Sequence, residues 1–268
     1  MTDYTFPLSG GIELNVRIGH GSVTVETEDG LDTASVRLTA SNGATDVIDQ
    51  TSVELNGTTL SVNGPRQGGI FDLPLFRGRG RGVDVHVRVP TGTPVKIGTF
   101  TAPIHITGHV GRADLAFGTG EADIAEVGGD LRLRFGSGLV KAARVRGSVQ
   151  VRSGSGDARF GEVDGALIAG CGSGNLDVDR VRGPVRSRTG SGNARLGEVH
   201  NHVDVASGSG SVEIGIPEGL AARLDLHTGS GRVSTELPIE NGPRVKTSTP
   251  VGLRARTGSG DVRLFRAA

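Results

Sequence analysis

The chain has 268 residues, and its 29 basic and 29 acidic side chains give a formal net charge of zero. This balance offers no argument for a nucleic-acid or membrane partner, and the single cysteine excludes a disulfide framework. Glycine accounts for 45 residues and aromatic residues for only 3%, which favours thin stacked β layers over a compact aromatic core.

The opening residues, MTDYTFPLSGG, lack the basic and then apolar pattern of a signal peptide. No apolar run approaches the ~20 residues that a membrane-spanning helix needs. We therefore expect a cytoplasmic protein without a membrane span.

Residues 1–95 are predicted to form an N-terminal β region that begins a solenoid. The segments LNVRIGHGSVTVET, SVRLTA, TSVELNGTTLSVNG and VDVHVRVP show the period-2 alternation of strands. A long loop at 64–82 interrupts this region.

The loop combines the apolar segment GIFDLPLF with the basic segment RGRGRG, which is unusual outside a core. It is a candidate docking loop for another protein or a second copy, and RGRGRG could also contact nucleic-acid backbones. The alternative is a loop that folds back to cap the solenoid. The docking residues are Ile70, Phe71, Leu73, Leu75, Phe76, Arg77, Arg79 and Arg81.

Residues 96–268 carry an 18-residue repeat. Gly-Ser/Thr-Gly triplets begin at Gly118, Gly136, Gly154, Gly172, Gly190 and Gly208. Further triplets begin at Gly229 and Gly258, separated by an insertion at 237–252. Apolar columns keep the same spacing, so each repeat reads as two short strands with glycine corners. Such repeats bury their apolar faces only by stacking, which predicts an all-β, single-stranded β-solenoid similar to a parallel β-helix.

One outward column alternates in charge at the same spacing. If the coils stack in register, each glutamate lies one coil from an arginine, and slippage by one coil is penalised. We interpret this column as a structural register ladder made of Glu126, Arg144, Glu162, Arg180 and Glu198.

A second set of outward positions carries arginines. They form a candidate stripe for an acidic partner, a polyanionic glycan or nucleic acid, and the alternative is an ordinary solvated surface. The stripe residues are Arg132, Arg134, Arg152, Arg186 and Arg188.

The recurring GSG triplets, the half-step Val-x-Gly, the closing ARTGSGDVRL and the opening LNVRIGHGSVTVET resemble a bacterial family of β-strand-repeat proteins. This family of unknown function is called "putative adhesin". The resemblance covers nearly the whole chain, and it implies a β-solenoid without established catalytic residues.

Other functions find little support in the sequence. Calcium-binding nonapeptides would need an acidic residue where Ala158 and Leu176 stand, and no P-loop motif is present. His200 and His202 form the one close histidine pair, for which we favour two surface imidazoles over a metal site. We predict no catalytic residue, no metal and no cofactor.

These observations predict a non-enzymatic scaffold or interaction protein that binds a protein partner or self-associates. The alternative is an adhesin-like module that binds a glycan or another polyanion along the arginine stripe. We do not expect a nucleic-acid partner.

Overall fold

The computed structural model describes residues 1–41, 46–65, 82–237 and 250–267. These residues form two compact units, Met1–Gly138 and Leu139–Ala268. The described chain is almost entirely β-strand, with one short helix, α1 (Asp46–Asp49). The predicted division at residue 95 stays a prediction.

The strands of the first unit follow one another from the N-terminus. They are β1 (Thr2–Pro7), β2 (Glu13–Glu28), β3 (Thr33–Ser41), β4 (Ser52–Asn56), β5 (Thr59–Asn63), β6 (Gly82–Pro90), β7 (Val95–Thr101), β8 (Ile104–Val110) and β9 (Ala113–Val127). The division between the units falls within β10 (Leu131–Val145).

The strand β2 is a bent coil that lies between two others. It pairs in parallel with β5 and β6 on one side and with β7 and β8 on the other. Antiparallel strands complete this end of the unit, because β4 pairs with β5, β3 with β6, and β1 with β3. The first solenoid coil in the chain is therefore not the outermost one.

The strands of the second unit repeat in pairs. They are β11 (Val149–Ser153), β12 (Asp157–Val163), β13 (Leu167–Cys171), β14 (Leu176–Val181), β15 (Val185–Thr189), β16 (Ala194–Val199), β17 (Val203–Ser207), β18 (Val212–Ile216), β19 (Ala222–Ser230), β20 (Val233–Thr235), β21 (Val251–Ser259) and β22 (Val262–Arg266).

Successive coils stack in parallel with a register of 18 residues. Leu167 lies beside Val185, and Val185 lies beside Val203. Their side chains are almost completely buried, as the alternating apolar columns predicted. The fold class predicted from the repeat, an all-β solenoid with 18-residue coils and two strands per coil, is confirmed.

The glycine triplets allow adjacent coils to approach closely at one corner. A Cβ atom on Gly192 would lie 1.9 Å from the carbonyl oxygen of Gly174 in the previous coil. Gly192 has no left-handed φ, so at this corner the requirement for glycine is the absence of a side chain.

The residue after three successive triplets satisfies the backbone of the next coil, at Asp157, Asn175 and Asn193. The Asp157 carboxylate accepts a hydrogen bond from the Asn175 amide N–H at 2.8 Å, and Asn175 Oδ1 accepts one from the Asn193 N–H at 3.0 Å. These oxygens support the corner, which gives a structural reason for Asp and Asn at this position.

The coil order changes at the C-terminus. The last segment of the chain, β21 and β22, pairs with β17 and β18 on one side. On the other side it pairs with β19 and β20, which precede it in sequence. In chain order, the outer coil of β19 and β20 therefore precedes the coil of β21 and β22. The later coil lies between the outer coil and the coil of β17 and β18.

Candidate interaction surfaces

One face of the second unit carries alternating charges. This laddered face consists of residues 139–145 of β10 with β12, β14, β16, β18 and β22, and neighbouring strands pair in parallel. Arg144, Glu162, Arg180 and Glu198 stand side by side in it. Arg180 donates from Nη1 to Glu162 at 3.0 Å and from Nε to Glu198 at 2.5 Å. Arg144 Nη2 lies 3.7 Å from Glu162.

Glu198, at the end of this ladder, is the least exposed carboxylate of the ladder in the second unit. The Glu198 side chain is 18% exposed, and its Oε1 lies 2.8 Å from His200 Nε2. The hydrogen bond from Arg180 holds the pKa of Glu198 below its usual value, and contact with His200 lowers that pKa further. Glu126, the remaining member predicted for the ladder, belongs to the first unit, where it stands opposite His109 of β8. The role of these residues in setting register stays a proposal.

A second ladder, not predicted from the sequence, lies on the same strands. Arg159, Asp177, Arg195 and Glu213 stand side by side. Arg195 Nη1 lies 3.6 Å from Asp177, and Arg195 Nε lies 3.8 Å from Glu213. The signal was available, because these four residues follow one another at 18-residue steps. Positive and negative charges therefore balance across the laddered face.

The opposite face of the second unit is rich in arginine. This arginine face is built from β11, β13, β15, β17, β21 and β19, which pair in that order. Its carboxylates are Asp204 and Asp225, one on each of two strands. Its exposed arginines are Arg152, Arg186, Arg188, Arg223, Arg254 and Arg256.

Ion pairs neutralise part of this face. Arg186 and Arg188 lie 3.8 Å and 3.0 Å from Asp204. Arg254 and Arg256 lie 2.8 Å and 3.1 Å from Asp225, and the hydrogen bond from Arg254 contributes most to lowering the pKa of that carboxyl. Arg152 makes no ion pair in the described part of the chain, so the face retains an excess of positive charge.

Three of the five stripe arginines predicted from sequence share this face, namely Arg152, Arg186 and Arg188. Arg132 and Arg134 belong to the first unit, and there Arg134 Nη2 donates to Asp114 at 2.9 Å. The five residues therefore belong to two different units.

Arg254 and Arg256 were missed because they lie 50 positions beyond Asp204 and Ala206, which they neighbour. A signal did exist, since LRARTGSG at 253–260 closely matches VRSRTGSG at 185–192. The interrupted 18-residue spacing concealed that the two segments occupy equivalent strands.

The histidine pair and the other potential metal ligands do not form a reaction centre within the described residues. His200 contacts Glu198, whereas His202 Nδ1 accepts a hydrogen bond from the Gly252 N–H at 2.7 Å, so each imidazole has its own partner. No cluster of three or more potential metal ligands occurs in the described ranges. The docking-loop residues from Ile70 to Arg81 lie outside them.

The single thiol is shielded. Cys171 is half-buried between Ser153 and Thr189 on the neighbouring strands. Burial raises the pKa of the Cys171 thiol, and the nearby charge of Asp157 raises it further. A nucleophilic cysteine needs the opposite shift, so Cys171 has the character of a core side chain.

The first unit contains an open groove of about 860 Å³. Its lining includes Arg17, Gln50, Asn63 and Phe100, and the Phe100 side chain is 60% exposed. Among the described residues, the lining contains no carboxylate and no histidine, and these residues thus offer no acid–base pair.

Stacked parallel coils with ladders of exposed charge define this protein as a β-solenoid that offers sheet faces to its surroundings. The chain belongs to the family described as Toastrack DUF4097, whose model matches residues 11–266. The resemblance noted in the sequence is thereby confirmed. Comparison with curated protein sequences finds no significant match.

Several solved structures share the fold at low sequence identity. A "putative lipid binding protein" from Parabacteroides distasonis has a TM-score of 0.60 at 14% identity, covering 98% of this chain and 96% of its own. A "putative adhesin" from Parabacteroides merdae has a TM-score of 0.59 at 9% identity, with coverages of 98% and 95%. A "putative adhesin" from Bacteroides fragilis has a TM-score of 0.51 at 12% identity, with coverages of 98% and 96%. At these identities the similarity concerns the fold.

The described residues include no helix with the length and apolar character needed to cross a membrane.

Proposed function

We propose that the protein is a non-catalytic interaction scaffold whose arginine face binds a polyanionic glycan. The observation that carries this proposal is the unequal charge of the two faces of the second unit. The described strands of the laddered face carry seven basic and six acidic side chains, whereas the arginine face opposes six arginines with two carboxylates.

The geometry of the arginine face suits an extended ligand. Its strands are stacked at the ~4.8 Å spacing of a β-sheet, so arginines from successive coils form a continuous positive surface. Guanidinium groups bind carboxylates and sulfates in bidentate fashion, and Arg152 has no competing carboxylate in the described structure. Because these side chains are exposed, binding should weaken as salt increases.

The family and fold agree with this proposal without specifying the ligand. Two of the structural relatives are described as adhesins, a class of binding protein, and one as a lipid-binding protein.

A charge-neutralising variant tests the arginine face. The double substitution Arg152→Gln and Arg188→Gln should weaken binding to heparin and polygalacturonate by about tenfold, because it removes two of the six arginines. Arg152 has no carboxylate partner in the described residues, and Arg188 shares Asp204 with Arg186. Binding would be measured by titration calorimetry and by the salt concentration that elutes the protein from heparin resin.

The matched control removes the same charge from the opposite face. The variant Lys141→Gln with Arg159→Gln should bind both polyanions as the wild type does. Equal losses in the two variants would show a nonspecific charge effect and contradict the proposal. Unchanged binding by the Arg152 and Arg188 variant would eliminate the arginine face as the site, and preference for DNA of equal charge would contradict a glycan ligand.

A further inference from the structure

The outermost described coil of the second unit leaves one strand edge unpaired. Strand β19 pairs with β21, and β20 pairs with β22. No described strand pairs with the other edge of β19 or β20. Such an edge presents a row of free backbone N–H and C=O groups, which readily accept another strand.

The apolar core is also open at this end. The inward-facing residues Leu224 and Leu226 are only half-buried, whereas their neighbours in β21, Leu253 and Ala255, are 1% and 0% exposed. Val233 in β20 is 42% exposed, which is unusual for an inward-facing valine in this solenoid. A further coil would bury this apolar surface.

The charges at the edge indicate what could cover it. The column Arg186, Asp204, Arg254 and Asp225 alternates in sign across four strands and ends at Asp225. Continuing the alternation requires a positive group beside Asp225. Arg223, two residues away on the same edge, has no partner in the described residues.

We infer that a second copy of this chain supplies that positive group, through antiparallel pairing of the two β19 edges about a two-fold axis at Leu224. Directly opposed residues in an antiparallel pair project to the same face. In this register Arg223 of each copy faces the partner's Asp225, Leu224 faces its equivalent, and Ala222 faces the partner's Leu226.

A different register is disfavoured by charge. Pairing centred on Asp225 would place the two Asp225 carboxylates opposite each other, and like charges facing one another destabilise a sheet. The Leu224 register instead creates two Arg–Asp pairs and joins the open apolar cores. The interface is self-complementary, so it closes at two copies and does not propagate into a filament.

This pairing would extend the arginine face. A two-fold axis perpendicular to the sheet leaves the outward sides of both β19 strands pointing the same way. The arginine faces of the two copies would then form one surface twice as long, which increases the avidity for a long polyanion. This consequence rests on the proposed function, whereas the dimer itself does not.

The first test is the mass of the full chain in solution. Sedimentation equilibrium should give twice the monomer mass of 27.5 kDa. The variant Leu224→Lys places two like charges at the two-fold axis and should raise the dimer dissociation constant by about tenfold or more. Leu224 is already half-exposed, so the monomer should keep its circular dichroism spectrum and unfolding midpoint.

A cysteine pair tests the register. In a Cys171→Ser background, Leu224→Cys should form an intermolecular disulfide under mild oxidation, because equivalent side chains meet at the axis. Leu226→Cys is the matched control on the same edge and should cross-link much more slowly, since it faces the partner's Ala222. A monomeric wild type, a dimer unaffected by Leu224→Lys, or faster cross-linking through residue 226 would each overturn the inference.

These outcomes are separable from those of the proposed function. A monomer that still binds heparin through Arg152 and Arg188 would reject the dimer and retain the arginine face. A dimer that does not bind polyanions would support the β19 pairing and reject the arginine face as a binding site.

Discussion

At the scale of single residues, the triplet glycines show how a solenoid corner depends on the absence of side chains. The carbonyl oxygen of Gly174 occupies the space where a Cβ atom of Gly192 would lie, 1.9 Å away. Backbone atoms, unlike the end of a flexible side chain, cannot move aside without shifting the coil. The repetition of glycine at this corner therefore follows from the stacking distance between coils.

This close approach predicts different costs for two glycine substitutions in the same unit. Gly192→Ala should destabilise the protein by about 1–3 kcal/mol or more, because overpacking forces the backbone to move. Gly170→Ala is the control, since a Cβ there meets nothing within 4 Å and its φ is not left-handed. It should be neutral or slightly stabilising. Urea denaturation followed by circular dichroism measures both, and equal effects would contradict the stacking argument.

At the scale of strands, the alternating columns explain how neighbouring coils keep their alignment. A slip by one coil along the column Arg144, Glu162, Arg180 and Glu198 would place like charges beside each other. Apolar columns alone would penalise such a slip much less, because valine, leucine and alanine replace one another from coil to coil. We propose that the charges supply the register information that the core lacks.

The ladder also predicts an acid-sensitive part of stability. The pKa of Glu198 is held below its ordinary value of 4.5, mainly by Arg180, so its ionised form favours the folded state. That contribution is complete above the unfolded-state pKa and is lost as the pH falls below about 4.5 through the lower folded-state pKa. Glu198→Gln should therefore lower the unfolding midpoint at pH 7 and have little effect in strong acid.

The matched variant for this titration is Glu54→Gln. Glu54 lies in β4, and its carboxylate accepts a hydrogen bond from the Asn56 side chain at 3.1 Å. Its substitution, which removes no ion pair, should lower the unfolding midpoint at pH 7 much less than Glu198→Gln does. High salt should reduce the effect of Glu198→Gln, because the ladder is largely exposed. An effect of the same size at pH 7 and in strong acid would indicate lost packing instead of lost charge.

At the scale of the whole molecule, the order of coils in space differs from their order in the chain. In the first unit β2 lies beneath β5 and β6, and in the second unit β21 and β22 lie beneath β19 and β20. The first and the last solenoid coils in chain order, β2 and β21 with β22, therefore have neighbours on both sides. Pairing on both edges protects these coils from fraying.

The interleaved order predicts that an internal deletion is tolerated better than a terminal one. Removing residues 219–250 deletes 32 residues, including the outer coil, and brings Gly258 to 18 positions after Gly208, the regular repeat. We expect this variant to fold. Removing residues 251–268 takes out a coil that pairs on both sides and should unfold the C-terminal coils, including β19 and β20.

Hydrogen exchange measured by mass spectrometry distinguishes these two variants. Protection should persist in β17 and β18 after the internal deletion and should fall sharply there after the terminal truncation. Equal protection in both variants would contradict the coil order. The internal deletion removes more residues than the terminal truncation, yet we expect it to destabilise the remaining coils less.

The sequence by itself determined the solenoid, its 18-residue coil, the buried columns and the ladder from Arg144 to Glu198, because these depend on local periodicity. Identical spacing forces equivalent residues into one column wherever coils follow in order. Tertiary structure alone decided that β21 lies between β17 and β19, because that placement depends on pairing between strands separated by irregular segments. It therefore also decided that Arg254 and Arg256 join the arginine face, and that Leu224 lies in a strand with one edge that no described strand covers.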